Sequence, residues 1–382
     1  GVRLVGSEMC IRDRGNVPTR IEKLRSGSFD AILLAAAGVT RLDLDLDDLL
    51  VVELDPRMFV PAAAQGVLAY QTRVDDQKMF DVVKQLHHPL IKEEIEIERK
   101  ILSRFGGGCH IPIGINTIRK EKTFNVRVSY SSDSNLMVKR AVFQCSSLDE
   151  ALSKFAELQK KPLPKSILIT KNLDTDSYLN RACEENRSLI FGQSFIETEA
   201  IPFSLPNSFD WIFFSSSNAV HSFFKQINPS TISDKKLAAY GETTGRALFE
   251  HVSHVDFIAS PGQPEEVSSE FRRKVSDKKV LFPISNISKK SIQSAIDPDQ
   301  ALNVICYNTK HKPQKLNKTI DAAVFTSPSN VKGFHLKNEK LGDSIKIIAL
   351  GSSTEKSLRK IGYNCQVADF PSEVEVFTLL CS

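Results

Sequence analysis

Short apolar runs recur along the second half of the chain: Ile167-Leu168-Ile169, Trp211-Ile212-Phe213-Phe214, Leu237 to Tyr240, Val280-Leu281-Phe282, Ala322 to Phe325 and Ile345 to Leu350. Helical patterns separate them. Short apolar strands alternating with helices predict βα units and a parallel sheet. The first half reads differently. An amphipathic helix carrying Ile21, Leu24 and Arg25 stops at Ser26-Gly27, and a strand is expected at Ala31-Ile32-Leu33-Leu34, giving one αβ unit. A helix with Phe80, Val83 and Leu86 follows. Another runs from Glu93 to Phe105, with Ile97, Ile101, Leu102 and Phe105 near helical spacing and Gly106 as C-cap. Phe124 to Ser129 and Val138 to Gln144 alternate like antiparallel strands about Ser132-Asp133-Ser134-Asn135, and a helix spans Leu148 to Leu158. Lys160-Lys161-Pro162-Leu163-Pro164-Lys165 has prolines and charge but no apolar period, which makes it a linker between domains.

A chain of 382 residues is expected to hold two or more compact domains. No apolar run reaches the length of a membrane span, and the first residues lack the basic then apolar pattern of a signal peptide, so a cytoplasmic protein is expected. Seven cysteines, scattered and without a C-x-x-C pair, argue for reduced thiols and against a disulfide framework or a zinc site. His87-His88 reads as a helix-end surface, and no metal ligand is assigned. The net charge of +4 is dispersed, too weak for a nucleic-acid footprint but compatible with an anionic small molecule.

Three features carry candidate chemistry. The first is Gly106-Gly107-Gly108-Cys109-His110-Ile111-Pro112-Ile113-Gly114, where consecutive glycines discard packing and clear space beside a thiol. Taken alone, Cys109 reads as a small buried hydrophobe, as a lone cysteine usually is, and only context reverses that. The second is the set Arg14, Arg20 and Arg41 at turns of the αβ unit, which suits a polycarboxylate ligand, although scattered surface arginines look the same in sequence. The third is an internal repeat. Phe214-Ser215-Ser216-Ser217-Asn218-Ala219-Val220 aligns with Phe325-Thr326-Ser327-Pro328-Ser329-Asn330-Val331, and Gly241-Glu242-Thr243-Thr244 aligns with Gly351-Ser352-Ser353-Thr354. Two similar lobes are expected, each with two Ser/Thr-rich turns that open helices. Such turns bind anions at the positive helix end or simply cap the helix.

In order and spacing, Arg14-Gly15-Asn16-Val17-Pro18-Thr19-Arg20, Leu34 to Arg41, Gln65-Gly66, Glu98-Arg99 and Gly107 to Gly114 resemble hydroxymethylbilane synthase, or porphobilinogen deaminase, over about Arg14 to Leu158. The second half, from about Lys165, resembles uroporphyrinogen-III synthase through its Phe-Thr-Ser and Gly-x-x-Thr turns. The first resemblance implies a dipyrromethane cofactor joined to Cys109 by a thioether and held by Arg14, Arg20 and Arg41, with porphobilinogen as substrate. The second implies closure of hydroxymethylbilane with inversion of ring D, through a spiro intermediate and without cofactor. It assigns Tyr307 to assist hydroxyl departure, with a core tyrosine as the alternative, and Ser216, Thr244, Ser327 and Thr354 to position the substrate. Two departures stand out. Ala64 replaces the glycine usual before Gln65, and the domain carrying the family's catalytic aspartate has no counterpart before Arg14, so the deaminase portion is expected to be inactive alone.

The expected architecture is α/β: residues 1–13 non-native or unstructured, 14–83 the deaminase middle domain with a remnant of the first, 84–158 the small α+β cofactor-attachment domain, 159–165 the linker, and 166–382 a two-lobed parallel-sheet synthase. One lobe combines 166–200 with 312–382 and the other covers 203–308. A monomer without nucleic-acid or membrane partners is expected. A non-catalytic two-lobed anion-binding protein and a degenerate scaffold are the rival readings.

Overall fold

The computed structural model describes residues 15–105, 112–131, 138–259 and 262–382. The chain divides into two compact units, Gly1–Asn135 with Phe143–Lys154, and Leu136–Val142 with Phe155–Ser382.

In the first unit, α1 (Val17–Arg25) opens at Asn16, whose side chain accepts from the Thr19 amide, and Pro18 sits in its first turn. The strand expected at 31–34 is absent: 31–35 form no regular structure, and Leu33 is 42% exposed. A strand needs a hydrogen-bonded neighbour, and none of the described strands pairs with this segment. The small residues after it open α2 (Ala36–Arg41) instead of a turn. α3 (Gln77–Lys84) buries no residue, whereas α4 (Pro89–Ser103) buries Ile97, Glu98 and Ile101. The pair β1 (Ile113–Lys120) and β2 (Thr123–Tyr130) is an antiparallel hairpin closed at Glu121, and β3 (Lys139–Cys145), which straddles the division between the units, is the third strand of the order β1-β2-β3. β1 was not expected, because the glycines before it read as loop. Helix α5 (Leu148–Lys160) follows.

Glu98 knits this unit together. Its carboxylate accepts from the amides of Ala64 and Thr117, each at 2.7 Å, and so ties the 61–64 segment to α4 and β1. The Ile115 amide donates to Pro61 O at 2.8 Å. A Cβ on Gly114 would lie 2.2 Å from Val60 O, so only glycine admits this approach. Burial raises the Glu98 carboxyl above its ordinary range, while the two amide bonds pull it back.

The second unit holds two sheets. One contains β4 (Ser166–Ile169), β5 (Leu189–Gly192), β12 (Ala322–Phe325), β13 (Lys346–Ala349) and β14 (Gln366–Val367) in the order β14-β13-β12-β4-β5. Its neighbouring strands all pair in parallel. The other contains β6 (Ile196–Ala200), β7 (Trp211–Phe214), β8 (Lys236–Ala239), β9 (Phe257–Ile258), β10 (Val280–Ser285) and β11 (Ala301–His311) in the order β6-β11-β10-β7-β8-β9. Here β6 runs antiparallel to the outer half of β11. Residues 196–200, assigned from sequence to the first lobe, thus extend the second sheet. Their Ile-Glu-Thr-Glu-Ala sequence suits a solvated edge strand, and Glu199 meets Lys310 across the pair.

The continuous apolar runs are covered on both faces. Ile212 and Phe214 join one core cluster and Trp211 and Phe213 another. In the first sheet Ile167, Ala322 and Val324 divide in the same way from Leu168, Ala323 and Phe325. Each fully buried phenylalanine contributes about 1.5–3 kcal/mol relative to exposure.

The two connections between the sheets lie against α10 (Pro328–His335). Phe195 donates its amide to Asn330 Oδ1 at 2.8 Å, and its carbonyl accepts from the Lys312 amide at 2.9 Å. A Cβ on Gly333 would meet Phe195 O at 2.2 Å. At the opposite edges, Gln263 Nε2 donates to Asp369 O at 2.8 Å, joining the segment after β9 to the one after β14.

Candidate active site

Four parallel strands run straight into helices: β7 into α7 (Ser217–Phe224), β8 into α8 (Glu242–Phe249), β12 into α10, and β13 into α11 (Ser352–Lys360). Such crevices outside the carboxyl ends of strands are where open α/β sheets bind ligands. The repeated residues occupy equivalent places. Ser216 and Ser327 are N-caps, accepting from the amides of Ala219 and Asn330 at 3.3 and 3.2 Å. Gly241 and Gly351 are the N-caps of the other two helices, and Thr244 and Thr354 are buried in the first turns. Both glycines have extended backbone, and a Cβ added to either meets nothing within 4 Å. Neither dihedral strain nor protein packing requires glycine at these two positions.

The second sheet brings Tyr307 and Ser216 together, with the phenol oxygen 3.3 Å from Ser216 Oγ. Tyr307 lies on β11 opposite Ser285 of β10 and is 7% exposed. Burial raises its phenol above the ordinary tyrosine range, partly offset by hydroxyl contacts from Ser216 and Ser285. The phenol is therefore protonated at neutral pH, a donor rather than a base. Burial also pushes the neighbouring Cys306 thiol up to about 12, which leaves it unreactive as a nucleophile. Ser217 Oγ donates to Thr243 O at 3.2 Å and ties the α7 turn to the α8 turn.

The first sheet arranges its turn differently. The Thr326 amide donates to Thr170 Oγ1 and its hydroxyl to Thr170 O, both at 2.9 Å, and Asn330 Nδ2 reaches Thr326 Oγ1 and Ser327 Oγ at 3.2 and 3.1 Å. Thr170, Asn330 and Ser285 escaped the sequence reading. A threonine closing β4 and an asparagine in the first turn of α10 were the available signals.

Of the residues read as holding a cofactor, Arg20 and Arg41 stand on α1 and α2 of the first unit. Arg20 donates to Leu33 O at 3.0 Å. Gly38 of α2 lies close to Val17 of α1, since a Cβ there would be 3.3 Å from Val17 Cγ2. Cys109 and Arg14 lie outside the described residues, as do Gly106 and residues 1–13.

Comparison with known proteins matches residues 191–375 to the family profile "Uroporphyrinogen-III synthase HemD" and residues 3–81 to "Porphobilinogen deaminase, dipyromethane cofactor binding domain". The probable porphobilinogen deaminase of Methanocaldococcus jannaschii is 36% identical over 148 residues, covering 39% of this chain and 50% of that protein. The porphobilinogen deaminase of Campylobacter jejuni is 44% identical over 103 residues, covering 27% of this chain and 33% of that protein. The chain thus spans half or less of the length of these curated relatives. Among solved structures, uroporphyrinogen-III synthetase from Helicobacter pylori aligns with TM-score 0.42 and 20% identity, over 56% of this chain and 96% of that one. A mutant uroporphyrinogen III synthase from Thermus thermophilus aligns with TM-score 0.37 and 13% identity, over 56% of this chain and 95% of that one. No helix among the described residues is long and apolar enough to cross a membrane.

Proposed function

We propose that residues 166–382 close hydroxymethylbilane to uroporphyrinogen III with inversion of ring D, in the cytoplasm and as a monomer. The observation that carries this reading is the buried, protonated Tyr307 phenol beside the Ser216 cap at the mouth of a helix-opening turn. Tyr307 donates its proton to the departing hydroxyl as the carbon–oxygen bond breaks. The Ser216, Thr244, Ser327 and Thr354 turns hold the carboxylates of the substrate, and Gly241 and Gly351 leave room for it against the backbone. Incubating the 382-residue chain with enzymatically made hydroxymethylbilane tests this: the III isomer is expected, and only the I isomer overturns it.

The first unit is proposed to hold a dipyrromethane, with Cys109 as the attachment point and Arg14, Arg20 and Arg41 on its carboxylates. Arg20 and Arg41 fit that role chemically, since guanidinium pairs bidentately with carboxylate. When bound, the group supplies the primer to which porphobilinogen units are joined. Mass spectrometry of the purified chain tests this: a dipyrromethane adduct on Cys109 is expected after incubation with porphobilinogen or preuroporphyrinogen, and an unmodified Cys109 overturns the attachment without touching the synthase reading.

A further inference from the structure

Away from the turns that open α7 and α8, the far side of the same helices carries a second cluster of chemistry-bearing side chains. His221 lies in the second turn of α7, and Glu250 and His251 follow directly after α8. One ring nitrogen from each histidine and one carboxylate oxygen of Glu250 lie within 4.8 Å of one another. Among the described residues this is the group of three or more His, Cys, Asp or Glu side chains so disposed. His221 Nδ1 and Glu250 Oε2 are 3.9 Å apart.

Two independent observations point to a ligand here. His251 Nε2 is shielded from solvent and makes no hydrogen bond, although its ring is fixed by stacking on Phe224 at 4.6 Å and 16°. Buried imidazole nitrogens ordinarily have a partner. The cluster also borders a cavity of 510 Å³ lined by Thr198, Asn218, His221, Ser222, Lys225 and His251, together with Phe224.

We propose that His221, Glu250 and His251 form a site for a divalent transition metal of the zinc class. Two imidazoles and a carboxylate are the donor set that such an ion takes in three-ligand sites, with a fourth position left to water. Tetrahedral coordination at ordinary zinc–ligand lengths brings ligand atoms to about 3.3 Å from one another. The exposed His221 and Glu250 side chains close the remaining distance by rotation, while the stacked His251 stays in place. Coordination through Nε2 gives that nitrogen the partner it lacks. An ion here ties the end of α8 to α7, and so braces the two helices that open at Ser216 and Gly241. The site is distinct from the Tyr307 chemistry, which needs no metal to be present at this cluster.

The test is equilibrium binding of Zn²⁺ to the full chain under reducing conditions, with Mg²⁺ as control and Co²⁺ absorption as a report on nitrogen and oxygen ligation. Because the chain has 8 histidines and 7 cysteines, variants decide the location. His221→Gln and Glu250→Gln, both at exposed positions, are expected to lower Zn²⁺ affinity at least tenfold and to abolish the rise in thermal midpoint that Zn²⁺ gives the unmodified chain. His251→Ala is expected to do the same, and far-ultraviolet circular dichroism checks that each variant is folded. Hydrogen exchange in 217–225 and 248–252 is expected to slow with Zn²⁺. Unchanged affinity in the two exposed variants, binding through thiols in the Co²⁺ spectrum, or no saturable binding overturns the proposal.

Discussion

Replacing Tyr307 by phenylalanine separates the proposed chemistry from packing, because the two differ greatly in magnitude. The phenol oxygen is 3.3 Å from Ser216 Oγ, well beyond the usual 2.7–2.8 Å of a hydroxyl–hydroxyl bond. Its loss therefore costs no more than about 1 kcal/mol of folding stability, a shift of roughly 2–4 °C in a domain of this size. The ring stays in the core cluster around Phe214 and Phe223, so no cavity forms. A general acid is worth about 10²–10⁴ in rate, or roughly 2.7–5.4 kcal/mol of barrier. Tyr307→Phe should thus lower kcat a hundredfold or more, leave KM within a few-fold, and barely move the thermal midpoint. The pH profile supplies a second readout. Burial raises the phenol, so its neutral form is favoured in the fold. Both the donor and its contribution to stability are fully present below the ordinary tyrosine value and are lost only as pH climbs through the raised one. The kcat of the unmodified chain should therefore show no loss from this group up to about pH 10. Turnover measured on fresh hydroxymethylbilane, with the isomer resolved by chromatography, decides it. Unchanged kcat in a folded Tyr307→Phe chain sinks the donor role and leaves Tyr307 a core residue.

Gly351→Ala should leave stability within about 0.5 kcal/mol, since its Cβ meets nothing and the backbone is extended; a marked rise in KM is expected, and an unchanged KM argues against ligand contact at that turn. Ala64 has φ of 61°, a left-handed conformation costing a side chain about 1–2 kcal/mol. After the unfolded-state entropy of glycine, about 0.4–1 kcal/mol, is subtracted, Ala64→Gly should stabilise the first unit slightly and slow hydrogen exchange at Thr117; faster exchange refutes the strain argument. Glu98→Gln offers one acceptor where two amides need one each, so an unsatisfied buried N–H should destabilise that unit by about 1–3 kcal/mol. Trp211, the single tryptophan, lies in the other unit, so circular dichroism or hydrogen exchange is the measurement rather than fluorescence. A midpoint unchanged in Glu98→Gln removes the clamp.

The parallel strands were legible because their physics is local. A run such as Trp211 to Phe214 is apolar throughout only if both faces are covered, and the structure divides it between two core clusters. The helix starts were equally legible, since Ser216 and Ser327 cap the chain only three residues onward. The αβ unit near the beginning failed for the opposite reason. Residues 31–34 have the composition of a strand, but a strand exists through its neighbour, and none of the described strands lies alongside.

The candidate site divides along the same line. The repeat displays two matching serine turns, yet what each turn holds depends on contacts far apart in sequence. Ser216 meets Tyr307 from 91 residues away, whereas Thr326 is fixed by Thr170 from 156 residues away. At the aligned position after each serine cap, the second lobe has Ala219 and the first has Asn330. That one difference lets the first-lobe turn reach Phe195 in the connection between the sheets. The two halves of the repeat are therefore not equivalent: the second carries the phenol, and the first ties its turn to the crossing chains. On the proposed function, a ligand gripping the Ser327 turn acts on the segment that joins the two sheets, while one at the Ser216 turn lies beside the Tyr307 phenol. Identical caps in sequence thus have different neighbours in the two lobes, a connecting chain in one and a buried phenol in the other.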